Sequence, residues 1–275
     1  MPELPEVETI KRGMAAALLG KSISNMRVNR YDLRIPIPQD FAKRLMGKTI
    51  TKLERRGKYI IMHMGADIVA ILHMGMSGRI NIFPVGIEYA AQKHDHVVFN
   101  MDDGTCFAYE DPRRFGMLYL ADKDWRKAKR FAFMGVEPLD DWSGADLFES
   151  LKNKKASIKS ALLDQRVVAG LGNIYVCEAL FRAYINPTRR SNSITKEEAG
   201  KLVKHVRDIL EESIKSGGST LKDYKHTDGS LGYFQHGFAV YDRAGKSCPN
   251  KDCASNILRI VQAGRSTFYC SSCQK

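Results

Sequence analysis

Residues 168–175 are Val-Ala-Gly-Leu-Gly-Asn-Ile-Tyr, a glycine-bearing turn that decides how the second half of the chain folds. The apolar spacing on either side of the turn predicts short helices over 158–163 and 174–181. A turn of this kind can bring backbone amides and a helix N-terminus up to a phosphate. The sequence therefore predicts two helices joined by a turn that is suited to binding an anion.

Further helices are predicted on both sides of this pair. Residues 147–151 have helical spacing, and so does the longer segment 195–215. Thr195 and Glu198 have the spacing of a capping box, and Gly217-Gly218 supplies the stop. The second half of the chain therefore begins as a series of helices.

The first half of the chain has a different pattern. The first 20 residues repeat apolar side chains every three or four positions and end at Gly20, which predicts an amphipathic helix. From about 23 to 121, short strand-like runs separated by Gly, Asp and Pro predict a β-sandwich or barrel. The clearest of these runs are 58–64, 68–72, 97–101 and 117–120. We expect the boundary between the two halves within 122–145.

Four cysteines lie in a short, polar, basic tail with the spacing C-x4-C, sixteen residues, C-x2-C: Cys248, Cys253, Cys270 and Cys273. A tail with so little apolar material needs a crosslink, and four thiolates suit a tetrahedral zinc ion. We predict one structural zinc ion per chain, with two disulfides or free thiols as the alternatives. Cys106 and Cys177 lie outside the tail and are predicted to be buried apolar residues.

The charge of the chain favours a polyanionic partner. Lys and Arg outnumber Asp and Glu by 43 to 31, which gives a net charge of +12. Nucleic acid is the leading candidate, and a basic solvated surface is the alternative. No apolar run approaches the roughly 18 residues of a membrane span, and the acidic start argues against a secretory signal. We expect a soluble, cytoplasmic protein with no membrane partner.

Several motifs, spread in order along the whole chain, resemble bacterial formamidopyrimidine-DNA glycosylases. They are the N-terminal string 2–9, Arg56-Gly57-Lys58-Tyr59, the segments 73–78, 93–96 and 111–116, Gly172-Asn173-Ile174-Tyr175, and the four cysteines. The resemblance implies an α+β multidomain fold with DNA held between its domains. An N-terminal β-sandwich flanked by helices would span 1–135, a helix-two-turn-helix domain 136–236, and a four-cysteine zinc finger 237–275.

The resemblance implies a bifunctional enzyme of DNA base-excision repair, a glycosylase and an abasic-site lyase. It would remove oxidised purines, such as 8-oxoguanine and formamidopyrimidines, from double-stranded DNA and cleave the strand by β,δ-elimination. After removal of Met1, Pro2 would have a free amine, whose ordinary pKa of about 8 leaves it partly unprotonated and nucleophilic. That amine would form a Schiff base with the sugar. Without the resemblance, Pro2 would be interpreted as a helix-starting residue.

The family's functional residues map onto positions of this chain. Glu3 would assist base departure as the acid-base group, and Lys58 would contact phosphate beside the lesion. Arg265, at the tip of a hairpin in the zinc module, completes the catalytic set of Pro2, Glu3, Lys58 and Arg265. The remaining DNA contacts implied are Glu6, His73, Met76, His94, Arg113, Phe115, Lys155 and Asn173. Lys154 is the alternative to Lys155, because it could satisfy the same alignment.

An oxidised base inside a duplex has to leave the stack before an enzyme reaches its glycosidic bond. The resemblance assigns Met76 to the vacated space, Arg113 to the orphaned cytosine and Phe115 to the adjacent step. Apolar wedges and a planar guanidinium suit these tasks. Met74 is expected to face inward between the exposed neighbours. The stretch 219–233 resembles a mobile loop that closes over the flipped base.

The chain departs from the family pattern at two places that matter. The first cysteine pair has four intervening residues where two are usual, so the segment 249–252 must bulge. Cys177 occupies a position where the family commonly has a small or polar residue, and we assign it no function.

His94 and His96 resemble a pair of metal ligands two positions apart on a strand. We predict no metal site there, because no third ligand is indicated nearby and the matching family segment is structural.

Two alternatives remain open. Endonuclease VIII shares the Pro2 chemistry, the helical turn and the zinc finger but removes oxidised pyrimidines; Leu4 and the Arg113/Phe115 pair favour the purine enzyme. A catalytically silent DNA-binding protein is the second, and the presence of Pro2, Glu3 and Lys58 argues against it. We expect a monomer without a small-molecule cofactor, associated with the nucleoid while it acts on DNA.

Overall fold

The computed structural model describes residues 2–219, 227, 230 and 232–275. Contacts divide the described chain into two compact units. The first comprises residues up to Ala132 together with Ile214–Gln235, and the second comprises Phe133–Ser213 and His236–Lys275. Within these residues no helix combines the length and the apolar character that crossing a bilayer requires.

The described residues up to Ala132 in the first unit form two antiparallel sheets and three α-helices. Its strands are β1 (Ile23–Val28), β2 (Ile50–Arg56), β3 (Tyr59–Met64), β4 (Ile68–His73), β5 (Arg79–Phe83), β6 (Asp95–Met101), β7 (Cys106–Glu110) and β8 (Met117–Asp122). Its helices are α1 (Leu4–Leu18), α2 (Phe41–Leu45) and α3 (Lys129–Ala132). One sheet has the order β1-β6-β7-β5 and the other β2-β3-β4-β8. This is the predicted β-sandwich flanked by helices.

The two sheets and α1 share one core. Val7, Ile10, Met14 and Leu18 of α1 are buried in it, as the three- and four-residue spacing predicts. The same cluster contains side chains of both sheets, including Ile60, Met62, Leu72, Phe99 and Phe107. Burial of this apolar surface fixes α1 against β2 and β3. The beginning of the chain is therefore held by the sandwich.

The second unit contains four helices and a two-stranded sheet. They are α4 (Gly144–Leu151), α5 (Ile158–Leu163), α6 (Asn173–Arg182), α7 (Lys196–Lys215), β9 (Leu258–Gln262) and β10 (Arg265–Tyr269). The capping box predicted before α7 is present: Glu198 N–H donates to Thr195 Oγ1 at 3.1 Å, and Thr195 N–H donates to Glu198 Oε2 at 2.8 Å. The helical character of this half is thereby confirmed.

The turn between α5 and α6 is braced by one side chain. Gly170 has a φ of +86°, a conformation that favours glycine. Gln165 accepts a hydrogen bond from Gly170 N–H at 2.8 Å and donates Nε2–H to Leu171 O at 2.9 Å. The glycine-bearing turn that opens the helical half is thus a fixed structure.

The cysteine-bearing tail packs on α6. Cys177 and Phe181 of that helix form one apolar cluster with Val240, Ile257 and Phe268, among others. Glu178 is buried, and its carboxylate accepts backbone N–H donors from three successive residues, Ala239, Val240 and Tyr241, at 2.7–2.9 Å. The tail is therefore anchored to the helix that begins at the glycine turn.

The boundaries of the two compact units differ from the domain boundaries predicted from the sequence. Residues 214–235 group with the β-sandwich unit, whereas the sequence places them in the helical domain, and the cysteine-bearing tail groups with the helices. The three-domain division at 135 and 236 stays a prediction. The buried positions predicted for Cys106, in β7, and Cys177, in α6, are confirmed.

Candidate active site and nucleic-acid interface

The N-terminal turn is held by a buried carboxylate. Pro2 and Glu3 are buried immediately before α1. Glu6 accepts a hydrogen bond from Glu3 N–H at 2.8 Å with one oxygen and from Ser219 N–H at 2.8 Å with the other. Both oxygens of Glu6 therefore serve the protein backbone and fix the position of residue 3. A direct contact between Glu6 and DNA stays a prediction.

Lys58 lies in the two-residue loop of the β2–β3 hairpin, where Arg56 pairs with Tyr59. Gly57 has a φ of +55°, which a tight two-residue loop requires at its first position. Lys58 is only 8% exposed, so it is not the solvated surface lysine that its isolated sequence suggests. Its burial beside a tight turn restricts where its ammonium can be placed.

An ion pair joins the Lys58 loop to α1. Arg55 donates to Glu8 Oε2 at 3.1 Å and to Gly57 O at 3.2 Å. Burial raises the pKa of Glu8, but hydrogen bonds from Lys11 and Arg12 outweigh that effect and lower it overall. Glu8 is therefore ionised and holds the hairpin to the helix that begins beside Pro2 and Glu3.

His73 ends β4 beside the Lys58 loop. Its Nδ1 accepts a hydrogen bond from Gly75 N–H at 3.0 Å, so Nε2 has the proton of the neutral ring. Burial, reinforced by the positive charges of Lys58, Arg34 and Arg130, lowers the pKa of His73 from 6.5 to about 4. At neutral pH His73 is an uncharged donor surrounded by cations, which suits a phosphate oxygen.

The depressed pKa of His73 predicts a pH dependence of stability. The unfolded chain binds this proton below about pH 6.5 and the folded chain only below about pH 4, so stability present above pH 6.5 is lost as the pH falls through this window. The scale is about 1.4 kcal/mol for each pKa unit. His73→Asn keeps an acceptor for Gly75 N–H and removes the titration. Urea unfolding at pH 7, 5.5 and 4.5 should show wild type losing stability relative to the variant; parallel curves would contradict the assignment.

Two loops that contain predicted DNA contacts are joined by a buried hydrogen-bond network. The loop 74–78 follows β4, and the loop 111–116 precedes β8. Ser77 Oγ donates to Asp111 Oδ1 at 2.6 Å and accepts from Arg113 N–H at 3.1 Å. Asp111 Oδ2 accepts from Gly116 N–H at 2.8 Å. Asp111 is fully buried, so it acts as the common anchor of both loops.

The three predicted gap-filling residues lie on these joined loops. Phe115 is 45% exposed, an unusual position for a large apolar side chain, and the Arg113 guanidinium lies 4.9 Å from the centre of its ring. Met76 is partly exposed, whereas Met74 is buried as predicted. A Cβ on Gly75 would lie 2.4 Å from the Phe115 carbonyl carbon, so a glycine allows the loops to touch.

His94 and His96 flank the same network. Asp111 N–H donates to His94 O at 3.1 Å, and His96 Nε2 lies 2.7 Å from Asp111 O. The backbone of His94 therefore supports the second loop, and its partly exposed side chain stays a predicted DNA contact. The sequence analysis missed Ser77 and Asp111 as individual residues, because a short serine and an aspartate give no local signal that they meet.

Removing the Asp111 carboxylate is expected to destabilise the first unit markedly. Asp111→Ala leaves Ser77 and Gly116 with buried donors that lack an acceptor, and each such group costs about 1–3 kcal/mol. We expect a loss of about 2–4 kcal/mol in the free energy of unfolding, measured in urea. Asp32→Asn is the matched control, since Asp32 forms an exposed ion pair with Arg114 on the same loop. That change should cost less than about 1 kcal/mol; equal losses would refute the anchoring role of Asp111.

The second unit presents its predicted phosphate contacts on neighbouring elements. Asn173 is the first residue of α6, and its Nδ2 donates to Ser266 O at 2.8 Å, next to Arg265. Arg265 begins β10 and is exposed. Lys155 is exposed before α5, whereas Lys154 is partly buried, so exposure favours Lys155 as the DNA contact. The structure thus joins the glycine turn to the hairpin of the cysteine tail.

The four cysteines of the tail form one cluster. Their sulfur atoms all lie within 4.8 Å of one another, and all four thiols are free. Cys248 Sγ and Cys273 Sγ are 3.8 Å apart, far from the disulfide bond length of about 2.05 Å. The wider first knuckle does not separate the ligands, and Asn250 Nδ2 in the bulge lies 3.1 Å from Cys273 Sγ. The cluster can hold a metal ion with four thiolates.

Family models match both parts of the chain. Residues 1–118 match the formamidopyrimidine-DNA glycosylase N-terminal domain, and residues 134–225 match the formamidopyrimidine-DNA glycosylase H2TH domain. Proteins named formamidopyrimidine-DNA glycosylase from Roseobacter denitrificans and Ruegeria pomeroyi are each 48% identical, with all of this chain and all of the relative covered. The chain belongs to the formamidopyrimidine-DNA glycosylase family.

Solved structures of the family agree with this assignment. The MutM (FPG) protein from Thermus thermophilus is 36% identical, with 99% of this chain and 98% of that chain covered and a TM-score of 0.87. The Lactococcus lactis Fpg in complex with DNA containing an abasic site is 33% identical over 99% of both chains, with a TM-score of 0.89. The fold predicted from sequence, including the helix-two-turn-helix region, is therefore confirmed.

Membership makes this chain a DNA-repair enzyme, a DNA glycosylase and abasic-site lyase. The first unit buries Pro2, Glu3 and Lys58, and the second exposes Arg265 and Lys155; the roles of these residues stay predictions. Met1 and most of the loop predicted at 219–233 lie outside the described residues.

Proposed function

We propose that this glycosylase excises oxidised purines, 8-oxoguanine and formamidopyrimidines, from double-stranded DNA and cleaves the abasic site through a Schiff base on Pro2. The observation that carries the proposal is the N-terminal turn. Glu6 binds the backbone of Glu3 and Ser219, which fixes the residues beside the Pro2 amine in a buried position. Lys58 is held against the same helix through Arg55.

The chemistry follows from a free secondary amine at Pro2. Its nitrogen lone pair forms a bond with the sugar C1′, and the glycosidic bond breaks with its electrons going to the base, which leaves protonated. Glu3 moves the proton that assists base departure or sugar opening. The Pro2 nitrogen releases its proton, and the C1′–O4′ bond then breaks as O4′ takes a proton from Glu3, which gives the iminium. The iminium acidifies the C2′ protons, so removal of one expels the 3′ phosphate; removal of the C4′ proton then expels the 5′ phosphate.

The joined loops of the first unit fit the task of stabilising an extruded nucleotide. Phe115 can wedge the adjacent base step, Met76 can enter the vacated space and Arg113 can donate to the unpaired cytosine. Their common anchor, Asp111, holds these three residues in one arrangement before DNA binds. Such preorganisation lowers the entropy lost on binding.

Phosphate contacts would come from both units. In the first unit, neutral His73 can donate its Nε2–H to a phosphate oxygen, and the positive charges of Lys58, Arg34 and Arg130 favour the same anion. His94 and Glu6 are further proposed contacts on this unit. In the second, the exposed side chains of Arg265 and Lys155 and the N-terminus of α6 at Asn173 suit anionic oxygens. The net charge of +12 favours the same partner.

Zinc is the metal that we propose for the cysteine cluster. Four thiolates with this spread of sulfur atoms match a closed tetrahedral site, and the donor set is soft. Bound zinc supplies folding free energy to the tail and no open position for catalysis. We expect the enzyme to act as a monomer in the cytoplasm.

A competition between two lesions tests the proposed function. Duplexes with 8-oxoguanine opposite cytosine and duplexes with thymine glycol are mixed at equal concentration, with an undamaged duplex as control, and strand cleavage is followed on denaturing gels. We expect preferential cleavage of the 8-oxoguanine strand. Preference for thymine glycol would replace the proposal with the pyrimidine enzyme, and tight binding without any cleavage would indicate a silent DNA-binding protein.

A further inference from the structure

One buried lysine contacts the hairpin that presents Arg265. Lys159 lies on α5 with its side chain fully buried. Its Nζ donates to Ser266 O at 3.0 Å and to Thr267 Oγ1 at 2.7 Å. Because Lys159 is inaccessible to solvent, it cannot touch DNA itself. Ser266 and Thr267 directly follow Arg265 along β10.

Other side chains converge on the same two residues. Asn173 Nδ2 also donates to Ser266 O, at 2.8 Å, and Arg259 Nε donates to Ser266 Oγ at 3.0 Å. Thr267 Oγ1 donates to Gln262 Oε1 at 2.9 Å. The backbone after Arg265 is thus bound from α5, from the start of α6 and from the partner strand β9.

The hairpin loop itself is tight. Ala263 and Gly264 have φ values of +48° and +73°, and Gln262 pairs with Arg265, as in a two-residue loop of type I′. A loop this short transmits the position of β10 directly to Arg265. Any shift of Ser266 and Thr267 therefore moves the Arg265 backbone with it.

A buried ammonium is a poor source of stability, because the loss of hydration opposes the hydrogen bonds that it gains. The position of Lys159 is better explained by geometry. We propose that Lys159 is a positioning residue that binds Ser266 and Thr267 and so aims Arg265 at the phosphate of the bound strand. This inference rests on the proposed function, which gives Arg265 a phosphate to bind.

The test is a double-mutant cycle on the full-length, zinc-loaded enzyme. Wild type, Lys159→Met, Arg265→Gln and the double variant are titrated with a duplex that contains a tetrahydrofuran abasic analogue, at several salt concentrations. Lys159→Met keeps the apolar stem and removes the ammonium. Ser266 O keeps Asn173 as a donor and Thr267 keeps Gln262 as an acceptor, so neither group is left without a partner.

We expect Arg265→Gln to weaken binding by roughly 10-fold and to reduce the slope of log K against log salt by about 1, the loss of one phosphate contact. Lys159→Met should weaken binding by roughly 5-fold and reduce the same slope, although Lys159 is buried. The double variant should match Arg265→Gln alone, because the lysine acts through the arginine. A merely structural lysine would leave the salt slope unchanged.

Thr267→Val provides a second variant that removes one acceptor of Lys159 with little change in volume. Like Lys159→Met, it should reduce both the affinity for DNA and the salt slope. If Lys159→Met fails to fold or to retain zinc, Thr267→Val tests the positioning role instead. Suppose that Arg265→Gln weakens binding. Wild-type affinity and salt slope in the Lys159 and Thr267 variants, or additive effects in the double variant, would then overturn the positioning role of Lys159. No effect of Arg265→Gln would instead refute the proposed phosphate contact.

Discussion

Insertion of an alanine between Met1 and Pro2 is expected to abolish base excision and strand cleavage. The inserted residue places the Pro2 nitrogen in an amide bond, where its lone pair is delocalised and cannot attack C1′. Loss of a covalent nucleophile lowers kcat on the order of 10⁶-fold in other enzymes, so no activity above background is expected. Borohydride trapping with a duplex containing 8-oxoguanine opposite cytosine measures the effect, since reduction converts the Schiff base into a stable adduct.

The control for this experiment is Pro2→Gly, which keeps a terminal amine after removal of Met1. It should form the adduct more slowly than wild type, because the proline ring that restricts the backbone beside Glu3 is lost. Mass spectrometry of the N-terminus verifies the processing of each protein. An adduct formed by the alanine-insertion variant as fast as by wild type would show that another amine is the nucleophile.

The local elements of the fold were predictable from the sequence because their determinants are local. The apolar spacing of α1 and the capping residues Thr195 and Glu198 depend on neighbours within a few positions. Short elements such as α2 and the strands β1, β2, β5 and β7 were not specified. Their sequences have too few residues to show a period, and pairing across the sheet determines their conformation.

The networks that position the candidate site were not predictable in this way. Ser77 bonds to Asp111 across 34 positions, and Lys159 bonds to Thr267 across 108. A lysine or an aspartate in isolation is expected on the surface, and only the fold reveals that these two are buried and bonded. The resemblance supplied the residues predicted to touch DNA, whereas the structure supplied the side chains that hold them.

Replacing one cysteine of the proposed zinc site is expected to unfold the cysteine tail and remove most DNA cleavage. Binding of structural zinc to small modules has an apparent free energy of about 10–16 kcal/mol, and this becomes folding free energy. Cys270→Ser removes a fully buried ligand that also belongs to the apolar cluster on α6. Strand cleavage should fall at least about 100-fold, a scale reached when even supporting groups of a metal site are lost. Metal analysis, thermal unfolding and the cleavage assay together measure the result.

Cys106→Ser is the matched control, because Cys106 is also buried but lies in β7, outside the cluster. It should retain one zinc ion per chain and cut damaged DNA, so a shared loss of activity would indicate general destabilisation. The physical reason for the large effect of Cys270→Ser lies in the placement of Arg265. The hairpin that presents this arginine lies between Cys253 and Cys270 in the chain. Glu178 binds the backbone of Val240, which precedes the hairpin, and Lys159 binds only Ser266 and Thr267 within it. If Cys270→Ser kept stoichiometric zinc and full activity, the cluster would not be the metal site and the phosphate contact of Arg265 would not depend on it.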